Sequence, residues 1–271
     1  MRQMIKFSKL SGAGNDFAII DNRSSRLTGS PAKLARRLCA LKTGVGADGL
    51  ILVERSRRAD FRMRIFNPDG SEAEMCGNGA RCVARYAYLR KITGSDMTFE
   101  TKAGLISARV LDREVSLRMS DPRDFRPART IRLAGREREL FFVNTGVPHA
   151  VMFVPNLEKV EVRGWGREIR EHKIFKPAGA NADFVMVINQ HHIAVRTYER
   201  GVEDETLACG TGSVAAALVS AREKGTVSPV RVRTRGGDVL KISFRRDGAK
   251  FTDVMLEGEV RFVFDGNLKE I

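Results

Sequence analysis

Apolar residues recur along the chain with two periods. In Gly104–Leu111, Glu114–Met119, Ile131–Leu133, Val230–Arg235, Val239–Arg245 and Met255–Phe264 they alternate with polar ones, between breaks of Gly, Asp, Asn and Pro. That is the pattern of antiparallel strands joined by hairpins. Val83–Leu89 and Val214–Val219 are helical in composition. The second is apolar almost all round, as a helix enclosed by other elements must be. Gly94 and Gly225 are the expected stops of these two helices. Ala35–Leu41 reads as a further helix-like stretch.

The elements come in two matched sets. Cys76-Gly77-Asn78-Gly79-Ala80 and Cys209-Gly210-Thr211-Gly212-Ser213 share the pattern Cys-Gly-polar-Gly-small, 133 residues apart. Upstream, Ala47-Asp48-Gly49-Leu50-Ile51-Leu52-Val53 parallels Ala182-Asp183-Phe184-Val185-Met186-Val187-Ile188. A second short strand follows in each, Phe61–Phe66 and Ile193–Tyr198, then an acidic turn, Gly70–Glu74 and Gly201–Glu205. Each set closes on the Cys-Gly box and the helix after it. A single mixed domain with a chance echo would not keep so many elements in order. The fold class is α/β (α+β), with two pseudo-symmetric domains, each a curved, mostly antiparallel sheet around a central helix, and an active site expected in the cleft between them. The expected halves are 1–121, completed by a C-terminal strand at 262–271, and 122–261.

Composition narrows the class. Of 271 residues, 42% are hydrophobic and 30% charged, which excludes a disordered chain. No apolar run approaches the roughly 18–20 residues of a membrane span. Met1–Lys6 alternates with polar residues and lacks a signal-peptide core, so a cytoplasmic protein is expected. The four cysteines make no Cys-x-x-Cys pair, and the histidines are not spaced as zinc ligands, so no metal is expected. The net charge of +14 raises a nucleic-acid-binding reading, with basic clusters at Arg55–Arg64, Arg123–Arg138 and Arg231–Arg246. Those clusters are scattered through both halves, and aromatics are only 7%, so no stacking surface is evident. Arg also alternates with apolar residues in several strands, as on the solvent face of a sheet. Gly44–Gly49 superficially suggests a dinucleotide loop but leads into a strand instead of a helix. No pyridoxal-phosphate lysine context is apparent, and no cofactor is called for.

The chemistry sits in the two boxes. Each Cys precedes a helix whose first residues are small, where unpaired N–H groups carry about half a positive charge. A thiol there is expected to ionise more easily, and the same N–H groups bind a carboxylate. Inverting a carbon centre needs a base on one face and an acid on the other, and a duplicated domain supplies one thiol per copy. The competing reading is two buried core cysteines, the usual fate of Cys. Cys39 and Cys82 are assigned to packing on that ground.

Beyond this, the sequence resembles the diaminopimelate epimerase family. Asn67-Pro68-Asp69-Gly70-Ser71-Glu72-Ala73-Glu74-Met75-Cys76-Gly77-Asn78-Gly79-Ala80-Arg81-Cys82 is similar to its first catalytic motif, and Tyr198–Gly201 through Ala208–Gly212 to the second. Lys9–Phe17, Gly146-Val147-Pro148-His149 and Leu256–Val260 also fit, so the resemblance runs the length of the chain. It implies a racemase that needs no cofactor and interconverts LL- and meso-diaminopimelate by a two-base mechanism, on the route to lysine and peptidoglycan. By that resemblance Cys76 and Cys209 are the acid–base pair, one thiolate and one thiol, and His149 and Glu199 help set their protonation. The reacting carboxylate would lie on the backbone of Gly77-Asn78 and Gly210-Thr211, and Asn15, Asn67, Asn181 and Arg200 would hold the distal amino-acid end. Taken singly these helpers have ordinary structural readings: Asn15 and Asn67 lie in turns, Asn181 precedes a strand, Arg200 could be a paired surface residue, and His149 could be a loop histidine. Two departures stand out, because many relatives have Gln at the place of Gly49 and Asn at the place of Val147. A related racemase of another amino acid, such as histidine, is therefore the nearest alternative, and a non-catalytic binding module that kept the fold is a further one. A homodimer and closure of the domains over substrate are expected.

Overall fold

The computed structural model describes residues 4–25 and 27–269. In chain order the elements are β1 (Met4–Gly12), β2 (Asn15–Asp21), α1 (Pro31–Cys39), β3 (Gly49–Glu54), β4 (Phe61–Phe66), β5 (Glu72–Ala73), α2 (Gly77–Leu89), β6 (Asp96–Thr101), β7 (Gly104–Leu111), β8 (Glu114–Arg118) and β9 (Arg123–Leu133). There follow β10 (Arg136–Asn144), β11 (Pro148–Phe153), α3 (Val162–Glu171), β12 (Asn181–Asn189), β13 (His192–Glu199), β14 (Asp204–Thr206), α4 (Gly210–Glu223), β15 (Val230–Arg233), β16 (Val239–Asp247), β17 (Lys250–Glu259) and β18 (Arg261–Lys269). The chain divides into Met1–Leu117 with Gly258–Ile271, and Arg118–Glu257. Both cuts fall a few residues before the positions expected from sequence.

The two units repeat one topology. In the first, β1 runs antiparallel to β18 and β2, β2 parallel to β3, β3 antiparallel to β4, and β4 parallel to β6. β7 and β8 continue antiparallel, and the two-residue β5 pairs beside β4. The second unit has the same order: β10 is antiparallel to β9 and β11, β11 parallel to β12, β12 antiparallel to β13, and β13 parallel to β15. β16 and β17 follow antiparallel, with β14 beside β13. Last in the chain, β18 takes in the first unit the place that β9 takes in the second.

Each sheet curves around one helix. α2 touches β1, β2, β3, β4 and β7, and α4 touches β10, β11, β12, β13, β15 and β16. Every residue of α4 from Gly212 to Ala221 is buried. Small residues dominate this helix, so strands can approach on all sides. Val214, Leu218 and Val219, fully buried, contribute about 1.5–3 kcal/mol each by removal from water. The sheets' outer faces carry α1, against β3 and β4, and α3, against β12, β13 and β14. On β15 the alternation places Val230 and Val232 inside and Arg231 and Arg233 outside, so part of the positive charge is the solvent face of the sheet.

Three local expectations need correction. Gly94 does not end the first central helix: α2 stops at Leu89, and Lys91 takes the left-handed conformation with φ of 54°. There its N–H reaches Tyr88 O while Ile92 N–H reaches Ala87 O, so the last turn closes before any glycine. At the second helix Gly225 does take that role, with φ of 70°. Met255–Phe264 is two strands instead of one, β17 and β18, parted at Val260, with the division between the units falling after Glu257 near the end of β17. α1 begins at Pro31, whose fixed φ suits a first helical position, and ends at Cys39 before Leu41.

Candidate active site

In the first unit the acidic turn and the Cys-Gly box are locked onto the sheet by side-chain hydrogen bonds. Cys76 is the residue before α2, with extended backbone, and Ala80 N–H closes the first helical bond onto its carbonyl. The N–H groups of the three residues between have no partner within the helix. Nothing lies within 4 Å of where a Cβ on Gly77 would stand, so the helix start is open to a ligand. Asn78 is turned inward: its amide donates to Asn15 Oδ1 at 2.8 Å and to Ala13 O at 3.3 Å, and accepts from the fully buried Arg81 at 2.8 Å. Asn15 in turn donates to Asp48 Oδ2 at 3.0 Å. Asn67 is exposed and donates to Ser71 Oγ at 3.0 Å. Cys39 and Cys82 are buried, which pushes their thiols up to about 11 and about 12, so both stay protonated and inert, as packing residues should.

The second unit gathers more chemistry around its thiol. Cys209, buried before α4, has its Sγ 3.4 Å from Thr211 Oγ1, and Thr211 Oγ1 lies 3.0 Å from His149 Nε2. His149 Nδ1 is 2.7 Å from Asp183 Oδ2, with both side chains fully buried. Asn181, which pairs with His149 across the parallel β11–β12 ladder, donates to Pro148 O at 3.2 Å and accepts from Arg200 N–H at 2.7 Å. Arg200 donates from Nη1 to Ala178 O at 3.1 Å. Glu199 ends β13 with its carboxyl beside the Thr206 hydroxyl and the Cys209 thiol, and burial pushes its pKa above the ordinary carboxylate range. Thus His149, Asn181, Glu199, Arg200, Gly210, Thr211 and Cys209 converge in one unit. Cys76, Gly77, Asn78 and Asn15 converge in the other, with Asn67 in the turn before its box.

The helix-start argument for an acidified thiol fails at Cys209. Its pKa is raised well above the ordinary thiol value, first by burial and then by the charges of Glu199 and Asp183. The Thr211 hydroxyl and the Gly212 N–H pull the other way and lose. Burial and the neighbouring charges therefore hold Cys209 toward its protonated form.

Sequence reasoning did not place Asp183, Thr197 or the Thr211 hydroxyl in this cluster. The signal for Asp183 was present, because it occupies the repeat position of Asp48. Space around it is tight. A Cβ on Gly212 would stand 2.5 Å from Asp183 Oδ1 and 3.1 Å from Thr197 Oγ1. Gly212→Ala is therefore expected to cost about 1–3 kcal/mol by overpacking, and to displace the carboxylate. A fall in thermal midpoint together with a loss of turnover checks this; an unchanged midpoint refutes it.

Comparison with known proteins fits this duplicated arrangement. A sequence profile described as "Diaminopimelate epimerase" matches residues 7–123 and 141–263. A diaminopimelate epimerase from Aquifex aeolicus (strain VF5) is 47% identical, covering 98% of each chain. This chain belongs to the diaminopimelate epimerase family. Another member, the diaminopimelate epimerase of Chlorobaculum tepidum, is 44% identical over 96% of this chain and 99% of its own. The epimerase is therefore an isomerase with a mixed α+β fold built from an internal repeat. A Bacillus anthracis phenazine biosynthesis protein of the PhzF family shares that fold, with a TM-score of 0.75 at 17% identity over 98% of this chain and 99% of that one. No helix among the described residues is long and apolar enough to cross a membrane.

The two departures have different structural settings. A Cβ on Gly49 would stand 3.1 Å from the Phe17 ring and 3.1 Å from Phe66 O, so a larger side chain fits only if the Phe17 ring and the Phe66 backbone both give. Val147 is half-buried in a turn held by Gly146 N–H on Asn144 Oδ1, 3.0 Å, and Thr145 N–H on Val147 O.

Proposed function

We propose that this epimerase interconverts LL- and meso-diaminopimelate, with Cys76 and Cys209 as the two proton-transfer groups. The observation that carries this reading is that each repeat places one thiol directly before its central helix, where N–H groups without helical partners bind a carboxylate and stabilise charge developing next to it. In one direction a thiolate takes the α-proton and the other thiol delivers a proton to the opposite face. Cys209, held toward the thiol form by burial and the charges beside it, is on this reading the donor, which leaves the part of base to Cys76. His149 and Glu199 accept and return thiol protons. Gly77-Asn78 and Gly210-Thr211 offer their N–H groups to the reacting carboxylate. Asn15, Asn67, Asn181 and Arg200 serve the distal amino-acid end, with amides that donate and accept and a guanidinium that grips a carboxylate. On this reading the enzyme works in the cytoplasm as a homodimer, without pyridoxal phosphate, in the synthesis of lysine and peptidoglycan precursors. Identity of 47% and 44% over nearly the whole length to two diaminopimelate epimerases supports the substrate.

The test is deuterium incorporation at the α-carbon in D2O without added cofactor, using LL-diaminopimelate beside histidine and a panel of other amino acids. Exchange and LL-to-meso conversion on diaminopimelate alone are expected. Exchange on a different amino acid would move the substrate and keep the two-thiol chemistry; no exchange on any would sink the reading.

A further inference from the structure

The second unit holds a buried carboxylate that the reaction so described does not use. Asp183 has both oxygens engaged: Oδ2 lies 2.7 Å from His149 Nδ1, and Oδ1 accepts from Thr197 Oγ1 at 2.7 Å. The β12–β13 register sets Asp183 opposite Thr197, and no part of the carboxylate reaches solvent. A charge buried this deeply is costly unless its partners are fixed.

Those partners determine where the protons sit. An ionised carboxylate only accepts, so His149 carries its proton on Nδ1, and the neutral ring has its lone pair on Nε2. Nε2 meets two donors, the Thr211 hydroxyl at 3.0 Å and the Asn181 amide at 3.4 Å. A hydroxyl has a single proton. With that proton on His149, Thr211 can only accept from the Cys209 thiol, 3.4 Å away.

The geometry points to Asp183 as a positioning residue that holds His149 in the Nδ1–H form and so ties the protonation of the imidazole to that of the Cys209 thiol through the Thr211 hydroxyl. This rests on Cys209 being a proton-transfer group. The coupled step balances without any co-reactant. The Sγ–H bond breaks and its proton goes to Thr211 Oγ1, while the hydroxyl's own proton goes to His149 Nε2. What results is a thiolate facing an O–H donor, an intact hydroxyl, and an imidazolium beside Asp183. Without the carboxylate that imidazolium would be a lone buried charge, and the ring would be free to turn its other nitrogen to Thr211.

Nitrogen-15 NMR of histidine-labelled enzyme reads the tautomer directly. The His149 signals are picked out from the chain's four histidines by comparison with His149→Gln. In wild type the neutral ring is expected to be protonated at Nδ1, and in Asp183→Asn the population moves toward Nε2–H. Thr197→Val, which keeps the carboxylate, keeps the wild-type tautomer. For substrate α-proton exchange, Asp183→Asn should lower kcat on the order of 100-fold with KM within about twofold. A wild-type ring protonated at Nε2 overturns the proposal whether or not any variant folds. An unchanged tautomer in folded Asp183→Asn, or a loss confined to KM, does the same. If wild type exchanges no α-proton on any substrate, the functional reading fails while the NMR still decides the tautomer.

Discussion

Cys76→Ala and Cys209→Ala are each expected to lower the LL-to-meso inversion rate by at least about 1,000-fold, with the fold intact. Inversion requires a proton to leave one face and another to arrive on the opposite face, so one remaining thiol cannot complete it. Fold is expected to survive because each thiol lies just before its helix, and the bonds that start the helix use the Cys backbone: Ala80 N–H on Cys76 O, and Ser213 N–H and Oγ on Cys209 O, both at 2.9 Å. Alanine keeps those acceptors and loses only a small side chain. The measurement is the inversion rate beside circular dichroism of each variant. A second readout is sharper. With LL- and meso-substrate run separately in D2O, each variant can exchange only from the face its remaining thiol serves, so any residual exchange should favour opposite isomers in the two variants. Equal residual exchange from both isomers in both variants would refute one thiol per face.

The paired boxes were legible in the sequence because the repeat is written in residue types that cannot be exchanged freely. Cys-Gly-x-Gly before a helix of small residues fixes both the helix start and the closeness of the surrounding strands, and it does so twice. The repeat also located β3 and β12, which carry continuous apolar runs, and β4 and β13, whose apolar residues are interrupted by polar ones. α3 was not legible: Val162–Glu171 contains two glycines and buries only Val162, Gly166 and Ile169, so its apolar stripe is too thin to stand out. The end of α2 was misplaced because the left-handed position is filled by Lys91, which carries no sequence signal for it. At the site, Asn78 and Thr211 were assigned by their backbone, whereas their side chains are what tie each box to its sheet. The protonation of Cys209 was the largest miss. A helix start is visible in sequence, but the burial and the two carboxylates that outweigh it arrive from β12 and β13 through tertiary pairing alone.

Glu199→Gln should set stability against activity. Burial raises the Glu199 carboxyl above its unfolded pKa, so the folded protein favours the protonated form. The stability this group contributes is whole below the unfolded pKa and is lost as pH rises through the raised folded pKa. Above the unfolded pKa the native state therefore bears a cost, whether by holding the proton or by ionising in place, that glutamine, nearly the same shape, does not incur. The thermal midpoint of Glu199→Gln is expected to match wild type near pH 4 and to exceed it at pH 7. Turnover moves the opposite way, down on the order of 100-fold, because an amide cannot take the thiol proton. The same substitution removes a negative charge that holds the Cys209 pKa up, so Cys209 should ionise more readily and react faster with iodoacetamide at pH 8. A lower midpoint at pH 7, or slower alkylation of Cys209, would mean that the Glu199 carboxylate is held by partners that stabilise its charge, and its role as a second proton acceptor for Cys209, beside the Thr211–His149 route, would have to be given up.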